Sequence, residues 1–223
     1  MDAALRKRII TISGTPCSGK STVNNLLAEK LGYETYSLGS KVKQLALEQG
    51  LEAELFYRQN TLEMEGRTQS LDQYLDAYQG QLGEQKEKFI LDSRLGFYFV
   101  PQSFRVFLYC QVDEAARRSQ QARKNERLYE SVERAKQTIA ERVEDEQRNY
   151  TKKYGIPNFH LSFHYDVVLD ATVQKPETIA GQILEQYKKY EQVTREIEIA
   201  CWAQKMVVAK SFPYKSGPIT GSR

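Results

Sequence analysis

The chain has 223 residues, a length that fits one domain or one domain with an appendage. Hydrophobic residues make up 40% and charged residues 27% of the sequence, which is a globular and not a disordered composition. The formal charge is +3 with both signs interspersed, so charge alone does not indicate a nucleic-acid partner. No apolar run approaches the roughly 20 residues that cross a bilayer.

Predicted strands alternate with predicted helices along the chain. The strands are short runs rich in β-branched or aromatic residues, at 8–13, 33–37, 88–92, 104–110 and 165–171. A first helix covers 21–30 and ends at Gly32, and a late helix starts with Pro176 at its first position and reaches residue 190. This alternation predicts a three-layer α/β/α fold around a parallel five-stranded sheet.

The remaining segments also have helical patterns. Residues 40–85 are predicted to be helical and largely polar, with breaks near Gly50, Gly66 and Gly80. Residues 113–153 are charged with few apolar positions, which predicts two helices that close over a site or stand in solvent.

The strongest motif is GTPCSGKS at residues 14–21, with two glycines five positions apart followed by Lys20 and Ser21. It matches the phosphate-binding P-loop, in which glycines let several backbone N–H groups converge on a phosphate at a helix N-terminus. Lys20 would reach the β- and γ-phosphates, and the Ser21 hydroxyl would bind Mg²⁺. The position between a strand and an amphipathic helix removes most chance matches.

A second motif, Asp92-Ser93-Arg94, follows the third predicted strand. Ligands of open α/β sheets bind outside the carboxyl ends of the strands. An acid there can hold Mg²⁺ through water, and an arginine can bind an acceptor phosphate through two N–H groups. The tripeptide alone is equally typical of a solvated turn, and only the nearby P-loop favours the functional interpretation.

The charged stretch carries many arginines interleaved with acids: Arg117, Arg118, Arg123, Arg127, Arg134, Arg142 and Arg148. Phosphoryl transfer needs cations around the transferring group, and a mobile lid often delivers them. Most of these arginines are nevertheless expected to form solvent-exposed ion pairs along a helix, and one to three are expected to face the phosphates.

The order of the motifs resembles the cytidylate kinase family, in particular its short archaeal-type branch of P-loop nucleoside monophosphate kinases. The resemblance rests on ITISGTPCSGKSTVNNLLAEKLGYETYSLG, ILDSRLGFYFVP, ERVEDEQRNYTKKYGI and YDVVLDAT, and covers residues 8–187. It implies ATP, Mg²⁺ and a pyrimidine monophosphate acceptor. It also implies a kinase domain at 1–190 that contains a helical acceptor-binding insertion at about 38–86 and a lid at about 120–155.

The resemblance assigns roles residue by residue. The residues implied to bind ATP are Gly14, Thr15, Pro16, Cys17, Ser18, Gly19, Lys20, Ser21 and Thr22 at the phosphates, with Arg118 near the adenine. The residues implied to bind the acceptor are Ser37, Gly39, Lys43, Asp92, Arg94 and Arg148. Lys20, Arg94 and the lid arginine Arg142 are implied to be catalytic, and Ser21 and Asp92 to hold the metal.

Three positions depart from the family pattern. Lys43 stands where an arginine is usual, so the bidentate contact with phosphate is lost. Asn149 stands where a second lid arginine is usual, and Arg148, one place earlier, points about 100° away on a helix. Cys17 replaces an expected glycine.

The sequence therefore predicts an ATP-dependent nucleoside monophosphate kinase that acts first of all on CMP or dCMP. Two alternatives stay open: a P-loop kinase of another small acceptor, and a nucleotide-binding regulatory protein that has lost turnover. The expected partners are small-molecule nucleotides, with no nucleic acid and no membrane. The N-terminal stretch lacks a signal-peptide pattern, which predicts a cytoplasmic protein.

The segment 191–223 has no counterpart in the resemblance and is expected to form a helix followed by a flexible tail. Its apolar positions would pack on the domain or on a second copy, so a monomer or a weak dimer is expected. These positions are Val193, Ile197, Ile199, Ala200 and Trp202.

Overall fold

The computed structural model describes residues 8–64, 66–122 and 131–211, and it gives the backbone alone at 54, 58, 122, 198 and 200–211. The strands are β1 (Ile9–Gly14), β2 (Glu34–Ser37), β3 (Thr61–Met64), β4 (Arg67–Ser70), β5 (Phe89–Asp92), β6 (Phe104–Tyr109) and β7 (Val167–Asp170). The helices are α1 (Lys20–Leu31), α2 (Leu38–Glu48), α3 (Ala53–Gln59), α4 (Leu71–Gln85), α5 (Gly96–Phe99), α6 (Val112–Ala122), α7 (Val132–Tyr154) and α8 (Pro176–Ser211).

Five parallel strands form the central sheet in the order β2-β5-β1-β6-β7, which confirms the predicted fold class. The middle strand β1 is buried on both faces, as expected for a sheet that helices cover on both sides. On one face, Ile10 and Ile12 pack in a cluster with Leu27 of α1 and Ile183 of α8. On the other face, Ile9 packs in a cluster with Leu82 of α4.

The strand register brings the predicted motifs together. Ile12 lies opposite Asp92, and Asp92 lies opposite Ser37 on its other side. The P-loop follows β1 directly, so the carboxyl ends of β1, β5 and β2 meet at one edge of the sheet.

The insertion contains a hairpin that the helical prediction for residues 40–85 missed. Strands β3 and β4 pair antiparallel around Gly66, whose φ of 74° suits a glycine turn. The predicted break near Gly80 is also wrong, because α4 runs through it. The insertion is held by its own apolar cluster, which includes Phe56 of α3, Leu62 of β3 and Leu71 of α4.

The charged stretch forms two helices, α6 and α7, as predicted. They pack through Ala115, Ala116, Ala135 and Ile139. Ser131 caps the start of α7 through its hydroxyl, and Gly155 ends it with a φ of 69°. Residues 123–130 of the predicted lid, with Arg123 and Arg127, lie outside the described residues.

Helix α8 does not pause at residue 190 but continues to Ser211. Its first part enters the core, where Tyr187 is fully buried. Beyond Tyr190 the apolar side chains Val193, Ile197 and Ile199 are more than half exposed. Residues 212–223, and the side chains of Ala200 and Trp202, lie outside the described residues. Within the described part of the chain, no helix combines the length and apolarity needed to cross a membrane.

Candidate active site

The P-loop is held against the end of β6. The Thr15 amide donates to the Leu108 carbonyl at 3.0 Å, and the Thr15 hydroxyl accepts from the Cys110 amide at 2.8 Å. A Cβ on Gly14 would lie 2.4 Å from the Leu108 carbonyl oxygen. Only glycine therefore allows the strand to approach this closely before the chain turns into the loop.

The loop curls through two left-handed positions, Cys17 with a φ of 56° and Gly19 with a φ of 85°. Pro16, just before Cys17, and Ser18, between Cys17 and Gly19, are both buried. Thr22 is exposed in the first turn of α1. The buried hydroxyl of Ser18 has no hydrogen-bond partner among the residues that the structure describes. A buried orphan hydroxyl inside a curled loop fits a site that receives phosphate oxygens.

Lys20 bends back over the loop. Its ammonium donates to the carbonyls of Gly14 at 3.3 Å and Thr15 at 3.2 Å. Burial and, to a smaller extent, the charge of Arg94 lower the pKa of Lys20 to about 8, although Asp92 acts in the opposite direction. A phosphate beside the ammonium would add negative charge and raise this pKa again.

Asp92 and Ser21 lie together at the start of α1. The Ser21 hydroxyl donates to the Asp92 carboxylate, and burial raises the pKa of Asp92 although Lys20 and Arg94 oppose the shift. A hydroxyl and a carboxylate are the hard oxygen donors that Mg²⁺ prefers. Among the described residues, no group of three or more His, Cys, Asp or Glu side chains is placed to hold a metal. The donor pair therefore fits a Mg²⁺ that keeps waters and phosphate oxygens as its other ligands.

Arg94 and Arg142 meet at Glu146, a residue that was not among the predicted site residues. Glu146 Oε2 lies 3.2 Å from Arg94 Nε, and Glu146 Oε1 accepts a hydrogen bond from Arg142 Nε at 3.0 Å. The Arg94 guanidinium also donates from Nη1 to the Gly14 carbonyl of the P-loop. The spacing of four residues between Arg142 and Glu146 on α7 is the only sequence signal for this pair.

Arg118 lies on the opposite side of the P-loop. Its guanidinium donates to the carbonyls of Ala171 at 2.7 Å and Thr172 at 2.9 Å, and to that of Cys17 at 3.4 Å. Glu114 accepts from its Nε at 2.8 Å. These contacts join α6 to the P-loop and to the turn after β7, and the role of Arg118 near the adenine stays a prediction from the resemblance.

The other predicted acceptor residues are more scattered. Ser37 caps α2 by accepting from the Ser40 amide at 3.4 Å, and Gly39 and Lys43 are exposed on that helix. Arg148 does not join the cationic group: its side chain is 68% exposed and pairs with Glu144 and Asp145. One residue is about 100° of helix rotation, and this step from position 149 to Arg148 turns the Arg148 side chain away from the helix face that carries Arg142. The position of Arg148 therefore does not support its predicted role in binding the acceptor.

The insertion and the lid helix α7 contact each other beside these residues. Tyr154 of α7 donates from its hydroxyl to Asp76 of α4 at 2.8 Å, and Lys153 lies 3.2 Å from Asp76 and 3.4 Å from Asp72. Nothing in the sequence pattern pairs these residues, because they are about 80 positions apart.

A parallel sheet with a P-loop, a half-buried lysine and converging arginines at its carboxyl edge defines a P-loop kinase. Residues 10–149 match the family model described as an AAA domain. The chain is 32% identical to a cytidylate kinase of Methanobrevibacter smithii over 79% of this chain and 96% of that protein. The chain belongs to the cytidylate kinase family.

Two further similarities complete the comparison. A protein of Lacinutrix mariniflava named S-adenosylmethionine-dependent nucleotide dehydratase is 29% identical over 85% of this chain, and the chain spans 38% of its length. A shikimate kinase structure from Bacteroides thetaiotaomicron matches with a TM-score of 0.58 at 14% identity, covering 81% of this chain and 98% of that one. At this identity the structural match shows the fold alone.

Proposed function

We propose that this chain transfers the γ-phosphate of ATP to a nucleoside monophosphate, with CMP or dCMP as the preferred acceptor. The observation that carries the proposal is the grouping of Lys20, Asp92, Arg94 and Arg142 at the carboxyl edge of the sheet beside the P-loop. Membership of the cytidylate kinase family supports the acceptor class. The relative named as a nucleotide dehydratase also carries a nucleotide in its name.

In this proposal the residues act by positioning and by charge. ATP with Mg²⁺ supplies the transferable phosphoryl group and a cation that neutralises part of its charge. Ser21 and Asp92 hold the metal, and Lys20 exchanges its loop carbonyls for phosphate oxygens. Arg94 orients the acceptor phosphate, and Arg142 stabilises the charge that develops during transfer. No covalent intermediate on the protein is required.

The experiment is an acceptor panel that measures ADP formation from Mg-ATP with CMP, dCMP, UMP, AMP, GMP and dTMP. Shikimate serves as a comparator that is not a nucleotide. We expect the fastest turnover with CMP or dCMP, with Lys43 and Asn149 tolerated. Fast turnover with shikimate would favour the alternative of another small acceptor. Turnover with no acceptor, alongside normal ATP binding, would favour a regulatory protein.

The control variant for this panel is Lys20→Ala. Loss of the ammonium should lower transfer to every acceptor by at least about 10²-fold. Its circular dichroism spectrum and melting temperature should stay close to those of the wild type, because Lys20 bonds only to loop carbonyls in this structure. Full turnover by the variant would show that the P-loop assignment is wrong.

A further inference from the structure

Glu146 occupies the centre of the arginine group. Its two carboxylate oxygens contact two different arginines, Arg94 after β5 and Arg142 on α7, at 3.2 and 3.0 Å. Its side chain is only 13% exposed. We infer that Glu146 is a positioning residue that joins the acceptor arginine to the lid arginine, so that both guanidinium groups face one phosphoryl group. This inference rests on the proposed function.

The contacts use a particular edge of each arginine. Both Arg94 and Arg142 are held at Nε, whereas a guanidinium can also bind a phosphate through its two terminal nitrogens. The Arg142 side chain is 63% exposed despite its hydrogen bond to Glu146, so its outer part stays open to a ligand. The carboxylate therefore orients both arginines from Nε, which leaves the edge formed by Nη1 and Nη2 open at Arg142, whereas at Arg94 the Gly14 carbonyl accepts from Nη1.

Charge balance requires a carboxylate at this place. Lys20, Arg94 and Arg142 are close enough that the two arginines lower the pKa of the lysine, and Glu146 raises it. Asp92 also opposes these cations, but Glu146 is the carboxylate in contact with both arginines, so without it the three cations would repel one another more strongly before any phosphate arrives. Arg94 is also tied to the P-loop through the Gly14 carbonyl, so Glu146 links the loop to the lid helix.

The kinetic test uses Glu146→Gln, which removes the charge and keeps the shape. The matched control is Glu141→Gln on the same helix, where the exposed carboxylate accepts a hydrogen bond from the Gln137 side chain at 2.8 Å. We expect kcat to fall about ten- to hundredfold in the first variant, because small misplacements of catalytic groups cost this much. The KM for ATP should stay within about twofold, and the control should match the wild type.

A double variant separates positioning from direct binding. If Glu146 acts through Arg142, the losses of kcat in Glu146→Gln and Arg142→Ala combine less than multiplicatively. Fully multiplicative losses would overturn the inference. So would a rise in the acceptor KM with kcat unchanged, because Glu146 would then contact the acceptor itself.

A spectroscopic test does not depend on turnover. In ¹⁵N-labelled protein without ligand, the Nε–H signals of Arg94 and Arg142 are assigned with Arg94→Lys and Arg142→Lys variants. Both signals should shift in Glu146→Gln and stay in place in Glu141→Gln. Unchanged signals in Glu146→Gln would refute the contact. If the wild type phosphorylates no acceptor while Glu146→Gln still shifts both signals, the proposed function is refuted and the positioning role of Glu146 is not.

Discussion

Cys17 adopts a left-handed backbone conformation, with a φ of 56°, in a loop whose next such residue is Gly19. A side chain at such a φ carries a steric cost of about 1–2 kcal/mol, which glycine avoids. This conformation gives the physical reason why the family pattern has glycine at this place. Gly14, by contrast, is needed because a Cβ would collide with the Leu108 carbonyl.

The Cys17→Gly variant should therefore be more stable than the wild type. We expect a gain of about 0.5–1 kcal/mol in the free energy of unfolding, since the relieved strain exceeds the added entropy of the unfolded chain. Urea denaturation of the variant and the wild type measures this gain in the free energy of unfolding. Cys17→Ala is the control, because it removes the thiol and keeps the Cβ. An equal gain in both variants would show that the thiol, and not the backbone, causes the effect.

At the scale of elements, α4 of the predicted insertion and α7 of the predicted lid contact each other. The Tyr154 hydroxyl donates to Asp76 at 2.8 Å, and burial together with Asp76 raises the pKa of the Tyr154 phenol well above its usual value. The phenol thus stays protonated and remains a donor at every ordinary pH. This contact joins α4 to α7, the helix that carries Arg142 and Glu146.

Removing either side chain of the Tyr154–Asp76 hydrogen bond should lower the stability of the protein. Tyr154→Phe should lower the free energy of unfolding by about 1 kcal/mol, the usual net value of a hydrogen bond, and Asp76→Ala by slightly more, because it also removes the surface ion pair with Lys153. The double variant should cost little more than either single one, because the same bond is lost once. Urea denaturation of the two single variants and the double variant measures these free energies of unfolding. If the losses of the single variants simply add in the double variant, the two residues are not coupled.

At the scale of the whole molecule, α8 divides into a core part and an exposed part. Tyr187 is fully buried and its hydroxyl lies 3.1 Å from that of Tyr33, so the helix up to this point belongs to the domain. The Tyr190 side chain is also buried, whereas Val193 and Ile197 are more than half exposed. We propose a boundary of the kinase domain close to residue 190, with the remaining helix as an extension.

Truncation tests this boundary. A chain that ends at residue 194 should keep its free energy of unfolding to within about 0.5 kcal/mol, because the side chains that the structure describes beyond this point, Ile197 and Ile199 among them, are exposed. A chain that ends at residue 186 loses Tyr187 and should be destabilised by about 3–5 kcal/mol or more, as for removal of any large buried aromatic side chain. Thermal and urea unfolding measure both. Strong destabilisation of the longer chain would place the extension inside the domain.

Much of the fold was predictable because its signals are local. The β-branched runs, the alternation with helices and the glycine at the end of α1 act over a few neighbouring residues, and all five central strands were predicted to within two residues at each end. The hairpin in the insertion was missed because β3 and β4 are four residues each and polar at most positions. Their burial depends on Leu62 entering a cluster with distant helices.

The sequence by itself determined the phosphate-binding loop, the parallel sheet and the edge at which Lys20, Asp92 and Arg94 meet. Backbone geometry imposes these features wherever the motif follows a buried strand. Only the tertiary structure decided which side chains of the charged stretch face that edge. Glu146 and Arg142 face it and Arg148 does not, because the rotation of α7 is set by the packing of its few apolar residues and not by its charges.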